Sequence, residues 1–294
     1  MRVGGLKIVA GDTRVSILMT VYNSALYLAE AIESVLEQRT SCPWELVIVD
    51  DGSQDLSLSI AKAYRARFSA RVKVLQHPGG ANCGISASRN LALRHASGST
   101  IAFLDSDDVW LPHHLTTLTA LLQRHPEVAA VYANAERWVH FSQPFDAVAS
   151  PRAWWGSNYL PPLLPEGERG GVLSPGTLLQ WFLRDEAKVP CICSMVVRTE
   201  AARAVGGFVN DFRGLYDDQA FHAKISLRYR MYAETSCVAR YRQHGTSCCA
   251  TEGKSSVVRQ AERARFLSFV GHYAKLARSE ELSAACHESL LVQV

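Results

Sequence analysis

Three carboxylates leave an apolar run in Ile101-Ala-Phe-Leu-Asp-Ser-Asp-Asp-Val-Trp110, namely Asp105, Asp107 and Asp108. Residues 101–104 are β-prone and follow Ser97-Gly98-Ser99, so they read as a short buried strand. If the strand continued through the acids, Asp105 and Asp107 would share a face, roughly 6.5–7 Å apart. Carboxylates crowded at the end of a core strand repel one another, and a hard divalent cation such as Mg2+ or Mn2+ relieves that repulsion. The same acids also suit a turn capping the helix expected from Pro112, whose positive end favours Asp. Two further acidic signatures stand at element ends: Asp50-Asp51-Gly52-Ser53 after a β-rich run, and Asp217-Asp218 opening a helical stretch.

The elements that must position these acids alternate regularly through the first half. Strands are expected at 15–20, 45–50, 72–75, 101–104 and 128–133. Helices fall between them: one carrying Leu26, Ala29, Ile32, Val35 and Leu36, one carrying Leu58, Ala61 and Tyr64, then 85–95 and 112–125. Such βαβ alternation argues an α/β fold with a Rossmann-like, mostly parallel sheet flanked by helices. Ligands of such sheets bind beyond the carboxyl ends of the strands. Thr20–Tyr22, Asp50–Ser53 and Asp105–Asp108 all sit at such ends.

The second half is less regular. Residues 141–176 are rich in Pro, Gly and Trp and read as loops, a flap or an acceptor platform. A strand is expected at 189–198, a short helix before Gly206-Gly207, a helix at 216–228 and a C-terminal helix from 255. Val257, Val258, Phe266, Leu267, Phe269, Val270 and Tyr273 would supply the apolar surface of that last helix.

Composition narrows the function. The 294 residues are 48% hydrophobic and 20% charged, an ordinary globular balance. A net charge of +3 suits anionic ligands or a weak pull toward an anionic membrane surface, and falls short of a nucleic-acid footprint. The turn after the first strand, Thr20-Val-Tyr-Asn-Ser, lacks the glycines of a dinucleotide fingerprint. There is no P-loop and no G-x-S-x-G elbow. No window approaches the length of a spanning helix, and the N-terminal residues lack the apolar stretch of a signal peptide, so a cytoplasmic location is expected. The eight cysteines show no disulfide framework. Cys191-Ile-Cys193 and Cys248-Cys249, with His244 nearby, match no common zinc spacing and read as small buried hydrophobes.

Four motifs carry a resemblance. Val15-Ser-Ile-Leu-Met-Thr-Val-Tyr-Asn23, Val47-Ile-Val-Asp-Asp-Gly-Ser53, Gly84-Ile-Ser-Ala-Ser-Arg-Asn90 and Phe103-Leu-Asp-Ser-Asp-Asp108 resemble the successive motifs of inverting glycosyltransferases of family two. The resemblance spans residues 14–135 and, more loosely, reaches about 248. It implies a GT-A fold and a nucleotide-activated sugar donor, commonly a UDP-sugar. It places Thr20 and Tyr22 along the nucleotide, Asp51 on the uracil ring and Arg89 near the donor phosphates. Asp107 becomes the main metal ligand for Mn2+ or Mg2+, with Asp105 and Asp108 on the donor sugar, the ribose or the metal. Asp218, with Asp217 beside it, becomes the base that takes the acceptor proton. Arg242-Gln-His244 resembles a motif near the phosphates, with His244 on the pyrophosphate or the metal. For Asp51 an ordinary Asp-Gly turn, for Arg89 a solvated helix face, for Asp217-Asp218 a helix-end charge pair and for His244 a structural histidine stand beside these roles.

The implied organisation is an N-terminal segment 1–13, a domain 14–250 and a helical extension 251–294. Within the domain, 14–135 would be the nucleotide-sugar half and 136–250 the acceptor half. The acceptor would be a glycan or a lipid-linked glycan, with no nucleic-acid partner. The basic balance and the C-terminal helix permit peripheral attachment to a membrane. A non-catalytic sugar-nucleotide binder of the same fold is the alternative.

Overall fold

The computed structural model describes residues 2–3, 6–7, 14–139, 158, 160–247 and 256–276. In chain order the elements are β1 (Arg2–Val3), β2 (Leu6–Lys7), β3 (Val15–Val21), α1 (Leu28–Leu36), β4 (Trp44–Asp50), α2 (Ser57–Arg67) and β5 (Val72–Gln76). Then come α3 (Ile85–His95), β6 (Thr100–Phe103), β7 (Val109–Trp110), α4 (His114–Arg124), β8 (Ala130–Val139), β9 (Gly171–Leu173) and α5 (Thr177–Leu183). The chain continues through β10 (Met195–Arg198), α6 (Thr199–Ala204), α7 (Asp217–Arg228), β11 (Met231–Gln243) and α8 (Ser256–Leu276).

The main sheet runs β5-β4-β3-β6-β10-β8-β11-β7, with β9 added to β11. The block β5-β4-β3-β6 is parallel throughout. β10 enters antiparallel between β6 and β8 and begins the mixed half. Apolar residues fill both faces of the parallel block because helices cover both. Along β3, Val15, Ile17, Met19 and Val21 pack into one core with α1 and α4, while Leu18 faces the other. Along β4, Leu46 and Ile48 join the first core, and Val47 and Val49 the second. Such continuously apolar strands are the signature of a parallel sheet buried on both sides.

Several expectations shift. β6 ends at Phe103, so Asp105 and Asp107 lie in the following turn and the pleat does not align them. α1 buries Leu28, Ala31, Ile32 and Val35, while Leu26 is 62% exposed. The N–H groups of Ser24 and Ala25 are held by Ser57 and Asp55, which keeps that stretch in a turn and delays the helix. β10 is shorter than expected, since the stretch Ile192–Ser194 before it forms a 3-10 turn. α8 buries Phe266, Leu267 and Val270 but leaves Val257 and Val258 exposed. The long strand β11 is not apparent in the sequence, because its polar middle carries register shifts between Ala233 and Ala239. Of the expected 141–176 loop region, residues 141–157 and 159 lie outside the described residues, as do Cys248 and Cys249, while β9 pairs with β11.

Candidate active site

The central parallel strands bring three signatures to one end of the sheet. Val21 stands opposite Asp50 on the β3–β4 pair, and Leu18 stands opposite Phe103 on the β3–β6 pair. Thr20–Tyr22, Asp50–Asp51 and Asp105–Asp108 are therefore neighbours. The turns beyond them are tied together. Ser24 donates its hydroxyl to Ser106 at 2.8 Å, and the Asn23 N–H bonds the Ser53 hydroxyl at 3.1 Å.

Arg89, on α3, is the hub of the acids. Its side chain is only 3% exposed, and the guanidinium donates to Asp105 at 2.6 Å and to Asp217 at the head of α7. Burial works against its charge, but Asp105 and Asp217 outweigh burial and hold the guanidinium above its ordinary value. The resemblance set Arg89 beside donor phosphates. Here its fork is already taken by two carboxylates, because a buried guanidinium needs counter-charges. It joins the end of a core strand to a distant helix. Burial raises Asp217 to about 7, with Arg89 opposing and Asp218 and Asp105 adding to the rise. Burial also raises Asp105, again against Arg89.

Asp217 and Asp218 follow Tyr216, which sits at φ 67 and stacks on Phe266 of α8 with ring centroids 5.0 Å apart. The left-handed turn at Tyr216 aims the head of α7 into the site. Asp217 is buried against Arg89. Asp218 is half-buried, and one of its oxygens accepts the Gln219 N–H at 2.7 Å. The less encumbered carboxylate is thus Asp218.

Asp107 and His244 meet from opposite sides of the site. The imidazole Nε2 donates to Asp107 at 2.9 Å, which leaves Nδ1 to accept from the Thr246 hydroxyl, also at 2.9 Å. The Asp107 side chain is 27% exposed. The Asp107 carboxylate at a partly open loop tip suits Mn2+ or Mg2+, and His244 would join it as a ligand on giving up its Nε2 proton. Arg242 was missed as a site residue. It lies two residues from His244, hence on the same face of β11's end. Its Nε donates to the Asp107 carbonyl at 2.6 Å, its guanidinium to Glu30 at 2.6 Å, and it lies over Trp138 at 4.3 Å. The Arg-x-His spacing was the available signal.

Asp108 departs from its expected place. Its carboxylate is fully buried and one oxygen accepts the Arg242 backbone N–H at 2.9 Å, so it turns away from the open side where Asp107 stands. Burial first, then Cys191 and the neighbouring acids, raise it well above the ordinary carboxylate range.

Asp51 holds a loop. Its two oxygens accept the N–H groups of Cys83 at 2.8 Å and Gly84 at 2.9 Å, and His77 lies 3.5 Å away. A Cβ at Gly52, where φ is +79, would meet the Gly80 carbonyl at 2.7 Å, so turn and loop pack backbone to backbone. Each Asp51 oxygen keeps a second lone pair. Thr20 is buried at the strand end, whereas Tyr22 is 52% exposed and offers an open ring beside it.

Known proteins share the fold and the motif-bearing part of the sequence. Residues 16–156 match the family model described as glycosyl transferase family 2. The Escherichia coli protein named UDP-Glc:alpha-D-GlcNAc-diphosphoundecaprenol beta-1,3-glucosyltransferase WfgD is 36% identical over 126 residues, 42% of this chain and 47% of that protein. The chain spans less than half the length of the curated relatives it matches. Among solved structures, S. aureus TarS 1–349 in complex with UDP-GlcNAc matches with a TM-score of 0.66 and 19% identity, over 95% of this chain and 70% of that one. The mannosyltransferase PcManGT from Pyrobaculum calidifontis, in complex with GDP-Man and Mn2+, matches with a TM-score of 0.61 and 17% identity, over 96% and 75%. With the four motifs brought together at one end of a GT-A sheet, the chain matches, through residues 16–156, glycosyl transferase family 2.

Proposed function

We propose that the chain transfers a sugar from a nucleoside diphosphate to an acceptor hydroxyl, with inversion at the anomeric carbon. The observation that carries the reading is the Arg89 bridge, which gathers Asp105 from the end of a core strand and Asp217 from the head of α7. It sets acids suited to the donor and acids suited to the acceptor at one end of the sheet.

The exposed Tyr22 ring offers a stacking face for a base, with Thr20 behind it. Asp51 accepts a base N–H on the lone pairs its loop bonds leave, which favours uridine or thymidine over purines. A relative named for UDP-Glc and a structural neighbour holding UDP-GlcNAc support uridine. Asp105, steadied by Arg89, faces the donor sugar with its remaining lone pairs. Asp107 and His244 hold Mn2+ or Mg2+, in keeping with the Mn2+ in the mannosyltransferase neighbour. When bound, the ion supplies charge compensation to the departing diphosphate.

Asp218 takes the proton of the acceptor hydroxyl. The acceptor oxygen then bonds the anomeric carbon as that carbon's bond to the phosphate oxygen breaks, and the pair of electrons leaves with the nucleoside diphosphate. A single displacement of this kind inverts the centre. Asp217, paired with Arg89 and raised to about 7, anchors the helix turn from which Asp218 acts.

In this reading residues 14–135 seat the donor and 136–250 the acceptor. A glycan or lipid-linked glycan fits the lipid-linked acceptor named for one relative. No helix among the described residues is long and apolar enough to cross a membrane. We place the meeting with a membrane-borne acceptor at the cytoplasmic surface, where the positive balance would aid attachment.

The test is incubation with UDP-, GDP- and TDP-sugars, Mn2+ and a set of glycan acceptors, reading the released nucleotide. Release of a nucleoside diphosphate together with a glycosylated acceptor supports the reading. Donor binding with no release from any pair would favour a non-catalytic binder, and released pyrophosphate would indicate nucleotidyl transfer.

A further inference from the structure

Cys191 and Cys193 flank the start of the 3-10 turn that leads into β10. Their spacing matches no common zinc module, yet the fold adds a third donor from another segment. The two sulfurs are 3.1 Å apart. Together with a carboxylate oxygen of Asp108, the donor atoms all lie within 4.8 Å of one another. Asp108 is fully buried. One oxygen accepts the Arg242 N–H, while Oδ2 finds no nitrogen or oxygen partner and faces only the Cys193 thiol, whose proton lies toward Cys191. An unpartnered oxygen of a buried carboxylate is costly to the fold, and a coordinated cation is one of the few groups that satisfies it.

We infer that Asp108, Cys191 and Cys193 bind a thiophilic divalent cation of the Zn2+ class, at a site separate from Asp107 and His244. Sulfur donors select such an ion over Mn2+ and Mg2+, whereas the carboxylate–imidazole site at Asp107 offers no sulfur. On binding, each thiol S–H breaks, a sulfur–metal bond forms and a proton leaves to solvent. Two thiolates and a carboxylate around a divalent ion carry one net negative charge. A tetrahedral Zn2+ with bonds of about 2.3 Å to sulfur places its two sulfurs about 3.8 Å apart. The pair must therefore open from 3.1 Å, a motion available to Cys191, which is only half-buried. Three protein donors leave a fourth position for water, reached from the Cys191 side.

Occupancy would also act on the reaction centre. Asp108 follows Asp107 directly and anchors the Arg242 backbone, so a bound ion would draw on the loop that presents Asp107. The inference does not depend on the transferase reading, since binding is measured without a sugar donor.

The experiment titrates the full chain, stripped with EDTA and kept reduced, with Cd2+ as a spectroscopic stand-in for Zn2+. Cadmium–thiolate absorbance and the number of thiols reactive to Ellman's reagent are both followed. The expected result is one bound ion that shields two thiols and is not displaced by a thousandfold excess of Mn2+. Cys191→Ser should weaken binding by more than about a hundredfold, beyond what outer partners of a metal site usually cost. Cys42→Ser and Cys83→Ser should leave it unchanged. Cys191→Ser is preferred to a change at the fully buried Cys193, and its circular dichroism is checked against the parent. Absence of the absorbance, its persistence in a folded Cys191→Ser, or displacement by Mn2+ would overturn the inference.

Discussion

Arg89→Met keeps the length and the apolar stem of the side chain and removes its charge. Asp105 and Asp217 then lose the cation that both contact. Removing one partner of a buried ion pair typically costs about 3–5 kcal/mol, because the remaining charge stays desolvated. Two carboxylates are stranded here, so the loss at pH 8 should fall in the upper part of that range. The deficit should also depend on pH. Burial raises Asp217 to about 7 in the folded protein, from an ordinary 3.8. A carboxyl raised on folding contributes stability that is full below the unfolded value and is lost as pH rises through the folded one. Arg89 opposes that rise, so in the variant Asp217 titrates higher still and its protonated form is retained to higher pH. The stability difference between Arg89→Met and the parent should therefore be greatest at pH 8 and shrink toward pH 5. Urea unfolding followed by tryptophan fluorescence at both pH values measures it. Adding Asp217→Asn to Arg89→Met should recover about 1–2 kcal/mol at pH 8, within the usual coupling of contacting residues. A deficit under about 0.5 kcal/mol, or one that does not change with pH, would refute the assignment of Arg89 as the counter-charge of both acids.

Asp51→Ala should weaken UDP by about 1.5–3 kcal/mol, roughly tenfold to more than a hundredfold, and purine nucleotides much less. Calorimetry with UDP and GDP checks this, and equal losses for both would return Asp51 to a loop-holding role alone. UDP affinity should rise when Mn2+ is added and fall with EDTA, and His244→Ala should reduce that difference. Equal UDP affinity with Mn2+ and with EDTA would remove the cation from the Asp107–His244 pair.

The sheet end was legible because regular strand and helix alternation puts the carboxyl ends of parallel strands on one side, whichever helices follow. Thr20, Asp51 and Asp105 needed nothing more to be grouped. Partners contributed by remote segments were not legible. The tie of Arg89 to Asp217 had no local sign, because Asp217 is 128 residues further on. Asp107 and Asp108 look equivalent in sequence, yet the turn after Phe103 leaves one partly open and buries the other beside Cys191 and Cys193. Arg242 lies at the end of a strand whose polar, irregular middle hides its period, so its bond to the Asp107 carbonyl had no local sign. The 191–193 cysteines matched no zinc spacing because their third donor arrives through the tertiary fold.

The most direct test of the account compares Asp218→Asn with the parent under saturating donor, acceptor and Mn2+, reading nucleoside diphosphate release. Asn keeps the size of the side chain and an oxygen to accept the Gln219 N–H, so folding and donor binding should hold. Donor affinity is expected to stay within about threefold while turnover falls by roughly 10²–10⁴, the usual contribution of general base catalysis. Turnover near the parent value, with donor affinity unchanged, would contradict Asp218 as the base.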